Sequence, residues 1–365
     1  MIRVSHNGTP YSPDYSTARR RILAACKRQG LTLVEFRHAV RSPSGDELWT
    51  DVARLGSADA ERLVVLSSGL HGVEGFFGSA VQLAVLDAFE NAKIVLPDGV
   101  AVVMIHALNP WGFAWLRRTD SHNIDSNRNF LLDGERYDGC SEGYRQLNAL
   151  LNPPAPPARF ELFQLRAAWH VLRQGLPAVK QAVAGGQYEY DKGLFFGGFT
   201  PGAVKQMLAA ELAEWIGAAR RVVHFDFHTG LGTWATYKLL FDYEPKQTEY
   251  DWLAGRFGTE RLGGMDSGGV AYESRGGIGR WLRAQLPDIE YLPLCAEFGT
   301  YSPLSVLRAL RAENQAHHWS RSPVNHDHWT KRAIVEAFCP ADPRWRERCL
   351  SQAVALVEQG INSLS

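Results

Sequence analysis

Three short stretches carry residue types that hold metals or move protons, and each follows or ends an apolar run. In GLHGVEG, residues 69–75, His71 and Glu74 stand three apart directly after the run at 62–69. An imidazole nitrogen and a carboxylate oxygen both suit zinc. With glycines at 72 and 75, a tight loop can bring both heads to one point, although an H-x-x-E pair alone is also an ordinary surface loop. In HFDFHTGLG, residues 224–232, strand alternation puts His224, Asp226 and His228 on one face and Phe225 and Phe227 on the other. His228 is then a candidate third ligand, with Asp226 able to hold an imidazole through its second nitrogen. A core histidine satisfied by its neighbours is the plainer alternative. Glu297 sits inside the apolar stretch YLPLCAEFG, where a carboxylate needs a partner. A water activated by a metal meets that need, and so does a structural ion pair. Between the first two stretches, residues 109–130 gather Arg117, Arg118, Asn127 and Arg128 among Trp111, Phe113, Trp115 and Phe130. Guanidinium groups grip carboxylates bidentately; a solvated basic loop is the other reading.

These residues need elements to position them. Apolar runs predict strands at 31–40, 62–69, 100–108, 221–228, 237–243 and 291–299. Helical spacing predicts helices at 16–28, 75–90, 159–183, 202–218 and 302–319, and through AIVEAF and CLSQAVALVEQGI near the C-terminus. Ser302 reads as an N-cap with Pro303 at the first helical position. Strands alternating with helices imply an α/β sheet covered on both faces. In such sheets functional groups gather just past the carboxyl ends of strands, which is where all three clusters lie.

Composition narrows the classes further. The chain has 365 residues, 39 basic against 39 acidic side chains and 45% hydrophobic residues, which excludes a mainly disordered state. Zero formal charge gives no general attraction to nucleic acid or to an anionic membrane. No run approaches the roughly 18 apolar residues of a membrane span, and MIRVSHNGTPYSPDYS lacks the apolar stretch of a signal peptide. Five scattered cysteines without a C-x-x-C pair read as free thiols, so a cytoplasmic protein is expected. RGGIGR, 275–280, lacks the strand–turn–helix frame of a dinucleotide site, and there is no G-x-S-x-G elbow.

Taken in order, His71-x-x-Glu74, Asn109-Pro110-x-Gly112, Asp125-x-Asn127-Arg128-Asn129-Phe130, His228 and Glu297 resemble the zinc carboxypeptidases (M14-like). Within that superfamily, HGVEG, NPWGFAWLRR, NRNF, DFHTGLG and AEFGTY are similar to the bacterial branch known as DUF2817. The resemblance covers roughly residues 60–320. It implies a mixed β-sheet with helices on both faces, forming a single catalytic domain over 1–365 with a helical insertion at about 131–220 that could act as a lid or an oligomer surface. It implies one zinc per chain on His71, Glu74 and His228, with Glu297 as general base. Arg117, or its neighbour Arg118, would polarise the scissile carbonyl. Asn127 and Arg128 would hold the substrate's free carboxylate, and Tyr272, with Tyr301 as the alternative, would close over it. The substrate implied is a small peptide. An N-acyl amino acid is the alternative, since aspartoacylase and succinylglutamate desuccinylase share the H-x-x-E, N-R and third-His pattern. A zinc-binding module without catalysis fits less well: three protein ligands leave an open position, and a structural site needs neither Glu297 nor the arginines.

Overall fold

The computed structural model describes residues 9–161, 163, 175, 185–264 and 275–365. Its centre is an eight-stranded mixed sheet in the order β1-β2-β4-β3-β5-β8-β6-β7. The strands are β1 (Thr32–Arg41), β2 (Glu47–Leu55), β3 (Arg62–Ser68), β4 (Val100–His106), β5 (Arg221–Gly230), β6 (Tyr237–Phe241), β7 (Leu262–Gly264) and β8 (Glu290–Gly299). β4, β3, β5 and β8 run parallel side by side, and antiparallel β2 and β6 flank them. Three neighbouring strands, β3, β5 and β8, therefore end together at one edge of the sheet. Their Val- and Leu-rich runs are buried on both faces, as parallel strands require.

Among the described residues the helices are α1 (Tyr15–Arg28), α2 (Gly75–Glu90), α3 (Pro110–Ala114), α4 (Glu142–Leu151), α5 (Ala203–Ile216), α6 (Gln247–Phe257), α7 (Ile278–Gln285), α8 (Pro303–Trp319), α9 (Trp329–Phe338) and α10 (Pro343–Ser363). Alternation along the strands sorts the apolar side chains into two cores. Val64, Leu66, Val102, Met104, Val223 and Phe225 pack under α1, α2 and α10, whereas Leu63, Val65, Ala101, Val103 and Val222 pack under α5 and α7. Helices thus cover both faces, as the sequence implies. The Ser302 cap is observed, accepting from Ser305 N, with Pro303 opening α8.

Six strands match those expected. β2 and the short β7 were not anticipated, nor were α3, α4, α6 and α7. Of the expected helices in the 131–220 stretch, 202–218 corresponds to α5, while 159–183 falls largely outside the described residues. All five cysteines are free thiols. No helix of the described residues is long and apolar enough to cross a membrane.

Candidate metal centre and active site

β3 hands the chain directly to the first cluster. After Ser68 the backbone turns at Gly69, and residues Gly72–Glu74 form a single 3-10 turn that runs into α2. The loop is tied down by Gly72 N and Val73 N donating to the carbonyls of Arg118 and Arg117. Gly72 presses so closely on Gly112 that a Cβ would meet its backbone at 2.1 Å, so the glycine in HGVEG is needed for the loop to dock on the arginine-bearing segment. His228 comes from β5 and faces Glu297 of β8 as its cross-strand partner.

The three candidate ligands meet. Donor atoms of His71, Glu74 and His228 all lie within 4.8 Å of one another, and all three residues are buried. His71 Nδ1 stands 2.9 Å from Glu74 Oε1, His228 Nδ1 stands 3.1 Å from Glu74 Oε2, and the two Nδ1 atoms are 3.2 Å apart. Each imidazole is gripped from behind by a carboxylate: His71 Nε2 by Asp125 Oδ1 at 3.0 Å, and His228 Nε2 by Asp226 Oδ2 at 2.5 Å. With each Nε2–H donating to its carboxylate, each Nδ1 keeps a lone pair aimed at the common point. Two lone pairs and a carboxylate converging in a buried pocket are a donor set that fits a zinc ion, with the outer-shell carboxylates metal-bound histidines usually have.

The backing groups are themselves supported. The Ser67 hydroxyl donates to Asp226 Oδ1 at 2.5 Å and accepts from His224 Nε2 at 2.7 Å, and His224 Nδ1 accepts from the Tyr291 hydroxyl at 3.0 Å. Asp125 Oδ2 accepts from Arg118 Nε at 3.0 Å, while Arg118 also donates to Glu74 Oε1 at 3.2 Å. Sequence reasoning missed Asp125 as the partner of His71. The signal was in the Asp-x-Asn-Arg spacing, because Asp125 caps the 3-10 turn Ser126–Arg128 and so faces inward.

Charge is distributed unevenly over these carboxylates. Burial alone would raise Glu74, but His71 and His228 outweigh it and hold the group below the usual carboxylate range. Burial likewise opposes ionisation of Asp125 and of Asp226; Arg118 and His71 overcome it in the first, and His228 in the second. His228 is raised above the ordinary imidazole range: Asp226 and Glu74 overcome the burial that works against its charge. Glu297 goes the other way and is pushed up to about 7, by burial first and by the negative charge of Glu74 second. Its Oε1 accepts from Leu231 N at 2.8 Å. Perturbed groups of this kind in one pocket are a mark of acid–base sites.

The arginines separate. Arg117 is buried away from the cluster, its guanidinium bonded to Glu313, Asn123 and Asn314 of a network that also holds Lys331. Of the two alternatives only Arg118 touches the carboxylates of the centre. The loop is not solvated, since Arg117, Asn127 and Arg128 are all buried. Asn127 Oδ1 accepts from Ile278 N, at the start of α7, and Arg128 Nη1 donates to the Asn127 carbonyl. RGGIGR thus has a structural role: Gly276, at φ +70°, packs a backbone-only surface on Arg128 O, and Gly277 and Gly279 abut the Asp242 carboxylate. Tyr272 lies outside the described residues. Tyr301 hydrogen-bonds Glu336 of α9.

The chain is similar to solved structures across almost its whole length. Bovine thrombin-activatable fibrinolysis inhibitor, solved in complex with tick carboxypeptidase inhibitor, superposes with a TM-score of 0.53 at 11% identity, covering 97% of each chain. Carboxypeptidase A from Helicoverpa armigera matches with a TM-score of 0.45 at 12% identity, over 96% of this chain and 77% of that one. Succinylglutamate desuccinylase from Chromobacterium violaceum matches with a TM-score of 0.39 at 15% identity, over 86% and 76%. At these identities the first likeness establishes the fold, which is the zinc-carboxypeptidase-like α/β fold that the motifs imply. No curated protein matches the sequence. Residues 11–352 match the family described as protein of unknown function (DUF2817), and the chain belongs to that family.

Proposed function

We propose that this protein is a zinc-dependent hydrolase that cleaves an amide or peptide bond next to a free carboxylate, as a carboxypeptidase does. The observation that carries the reading is the meeting of His71, Glu74 and His228 within 4.8 Å, with Glu297 beside His228 across two parallel strands. One zinc per chain would be held by those three side chains, each imidazole through Nδ1. Bound there, zinc supplies Lewis acidity and makes water a nucleophile near neutral pH.

The chain's own residues do the rest. Glu297, raised to about 7 by burial and by Glu74, is suited to take the proton of the attacking water and return it to the departing amide nitrogen. Arg118 carries the oxyanion role in place of Arg117: it sits against Glu74 and Asp125 with its charge intact and adds positive charge where the tetrahedral oxyanion develops. Asn127 and Arg128 would hold the substrate carboxylate. The Asn127 side-chain oxygen Oδ1 is engaged by Ile278 N, so its side-chain NH2 is the donor toward an anion. We assign the whole chain to one catalytic domain, with 131–220 as the inserted part and the cytoplasm as its compartment.

The test is to load the purified protein with zinc and challenge it with a panel of blocked dipeptides and N-acyl amino acids, each with a free and an amidated carboxylate. Turnover of free acids alone supports the reading, and the better series distinguishes peptidase from deacylase. Equal cleavage of free and amidated forms would remove the carboxylate clamp.

A further inference from the structure

Phe195 holds a backbone conformation that glycine usually fills. Its φ is +58°, in the left-handed region where a bulky side chain is an outlier. Such conformations persist only where the surroundings over-determine them, and they cluster at functional sites. Here four successive carbonyls are engaged: Gly193 O by Asn123 Nδ2 at 2.9 Å, Leu194 O by the Tyr144 hydroxyl at 2.6 Å, Phe195 O by Gln187 N at 3.1 Å and Phe196 O by Asp125 N at 2.7 Å. Leu194 N also donates to Asn152 Oδ1 at 2.9 Å. These bonds fix which way the Phe195 ring points.

The ring points at Arg118. The guanidinium carbon lies over it, 5.8 Å from the ring centroid, within reach of a cation–π contact. Phe195 is 8% exposed, so water competes little for the cation there. The next residue grips the same loop elsewhere, because the Asp125 amide that donates to Phe196 O belongs to the residue whose carboxylate takes the Nε–H of Arg118. Arg118 is therefore held by Asp125 at Nε, by Glu74 at Nη1 and by the ring. Among the described residues Nη2 meets no acceptor, so a donor remains for an oxyanion. The hold of Glu74 depends on charge that a cation at the centre would share. The hold of the ring does not.

We infer that Phe195 is a positioning residue for Arg118: the clamped segment 193–196 drives an aromatic ring against the guanidinium and keeps it at the centre, where the oxyanion develops. The inference rests on the reading of Arg118 given above. It gives part of the 131–220 stretch a place in the site itself, beyond covering it.

The test uses zinc-loaded, full-length protein and the panel of blocked dipeptides and N-acyl amino acids. Phe195→Leu keeps apolar bulk and loses the aromatic face. It should lower kcat roughly 3- to 30-fold, about 0.6–2 kcal/mol at 1.36 kcal/mol per decade, with KM and zinc affinity unchanged. A graded series of ring-fluorinated phenylalanines at position 195 keeps the shape and drains negative charge from the face. Along it kcat should fall stepwise, which packing alone does not produce; if Phe195→Leu does not fold, this series decides. A further readout needs no turnover: with para-fluorophenylalanine at position 195 of the full-length protein, Arg118→Met should move the fluorine resonance. Equal kcat across the fluorinated series, or a resonance indifferent to Arg118→Met, overturns the positioning role and leaves the hydrolase reading standing. No turnover of any substrate by the unmodified protein overturns the hydrolase reading and this role with it.

Discussion

Asp226→Asn tests the centre without touching a ligand. In the native arrangement the Asp226 carboxylate accepts on both sides, from His228 Nε2 at 2.5 Å and from the Ser67 hydroxyl at 2.5 Å. Asparagine has one oxygen and one NH2 at those two positions. If its oxygen faces His228, the NH2 confronts Ser67 Oγ, which already accepts from His224 Nε2 at 2.7 Å, and the serine proton loses its acceptor. If the NH2 faces His228, the imidazole must move its proton from Nε2 to Nδ1, which is the atom aimed at His71 and Glu74. The first arrangement loses one buried hydrogen bond, at about 1–3 kcal/mol; the second reverses the contact to His228 and keeps both, but it hides the lone pair needed for the metal. Loss of an outer-shell carboxylate typically weakens metal binding 10- to 100-fold, about 1.4–2.7 kcal/mol at 1.36 kcal/mol per decade. Zinc affinity should be measured by competition with a chelator of known affinity, alongside circular dichroism to establish that the variant is folded. A folded Asp226→Asn protein that binds zinc within about threefold of the unmodified one, well short of the outer-shell range, would refute the dependence of the metal site on the Asp226 carboxylate.

Glu297→Gln should keep the fold and the zinc stoichiometry but lose at least about 10²-fold in kcat, the scale of general acid–base catalysis; near-normal turnover would take Glu297 out of the chemistry. Arg128→Lys and amidation of the substrate carboxylate should each lower kcat/KM by roughly 2–4 kcal/mol, without adding, because both remove one contact; fully additive losses would mean that Arg128 acts elsewhere. Glu313 is buried against Arg117 and Lys331. Burial works to raise it, but the two cations overcome this and bring its carboxyl down to about 2 from an unfolded value of 4.5. Its stabilisation is therefore complete above pH 4.5 and is lost as pH falls from there toward 2. Glu313→Gln strands two buried cations and should cost about 3–5 kcal/mol in urea unfolding at pH 7. The variant's stability should then fall less steeply than the unmodified protein's below pH 4.5; parallel acid profiles would show that Glu313 is not the titrating group.

How much of this arrangement could be read beforehand follows from where the information lies. β3, β5 and β8 were legible because strands buried on both faces must be continuous apolar runs, and His71, His228 and Glu297 stand out at their ends as polar residues in dry surroundings. β2 was not, since Glu47-Leu48-Trp49-Thr50-Asp51 reads as polar. It forms a strand because it pairs with β1 and β4 and because Arg19 of α1 neutralises the buried Asp51. α7 was hidden by the glycines of RGGIGR, which look like a loop until Asn127 and Asp242 are seen to cap its first amides. Arg117 and Arg118 could not be told apart locally. Which guanidinium turns inward depends on Glu313 of α8, 196 residues along the chain from Arg117.

The roles proposed for the two nearest glutamates rest on the same geometry. Glu74 and Glu297 flank His228, so either could be named ligand or base from residue type alone. Glu74 accepts from Thr229 N and Arg118 and lies against both imidazoles; every one of these contacts favours its charged form, which is the form that binds a cation. Glu297 has Leu231 N as its backbone donor, and burial together with the charge of Glu74 keeps its proton affinity high. Environments that push two carboxyl groups apart in this way divide the labour between them. The one held ionised suits a fixed ligand, and the one poised near neutrality suits a group that both takes and returns a proton. Exchanging them would put a partly protonated ligand on the metal and a base too weak to accept a proton, so the reading of Glu74 as ligand and Glu297 as base rests on their surroundings as well as on their place in the motif.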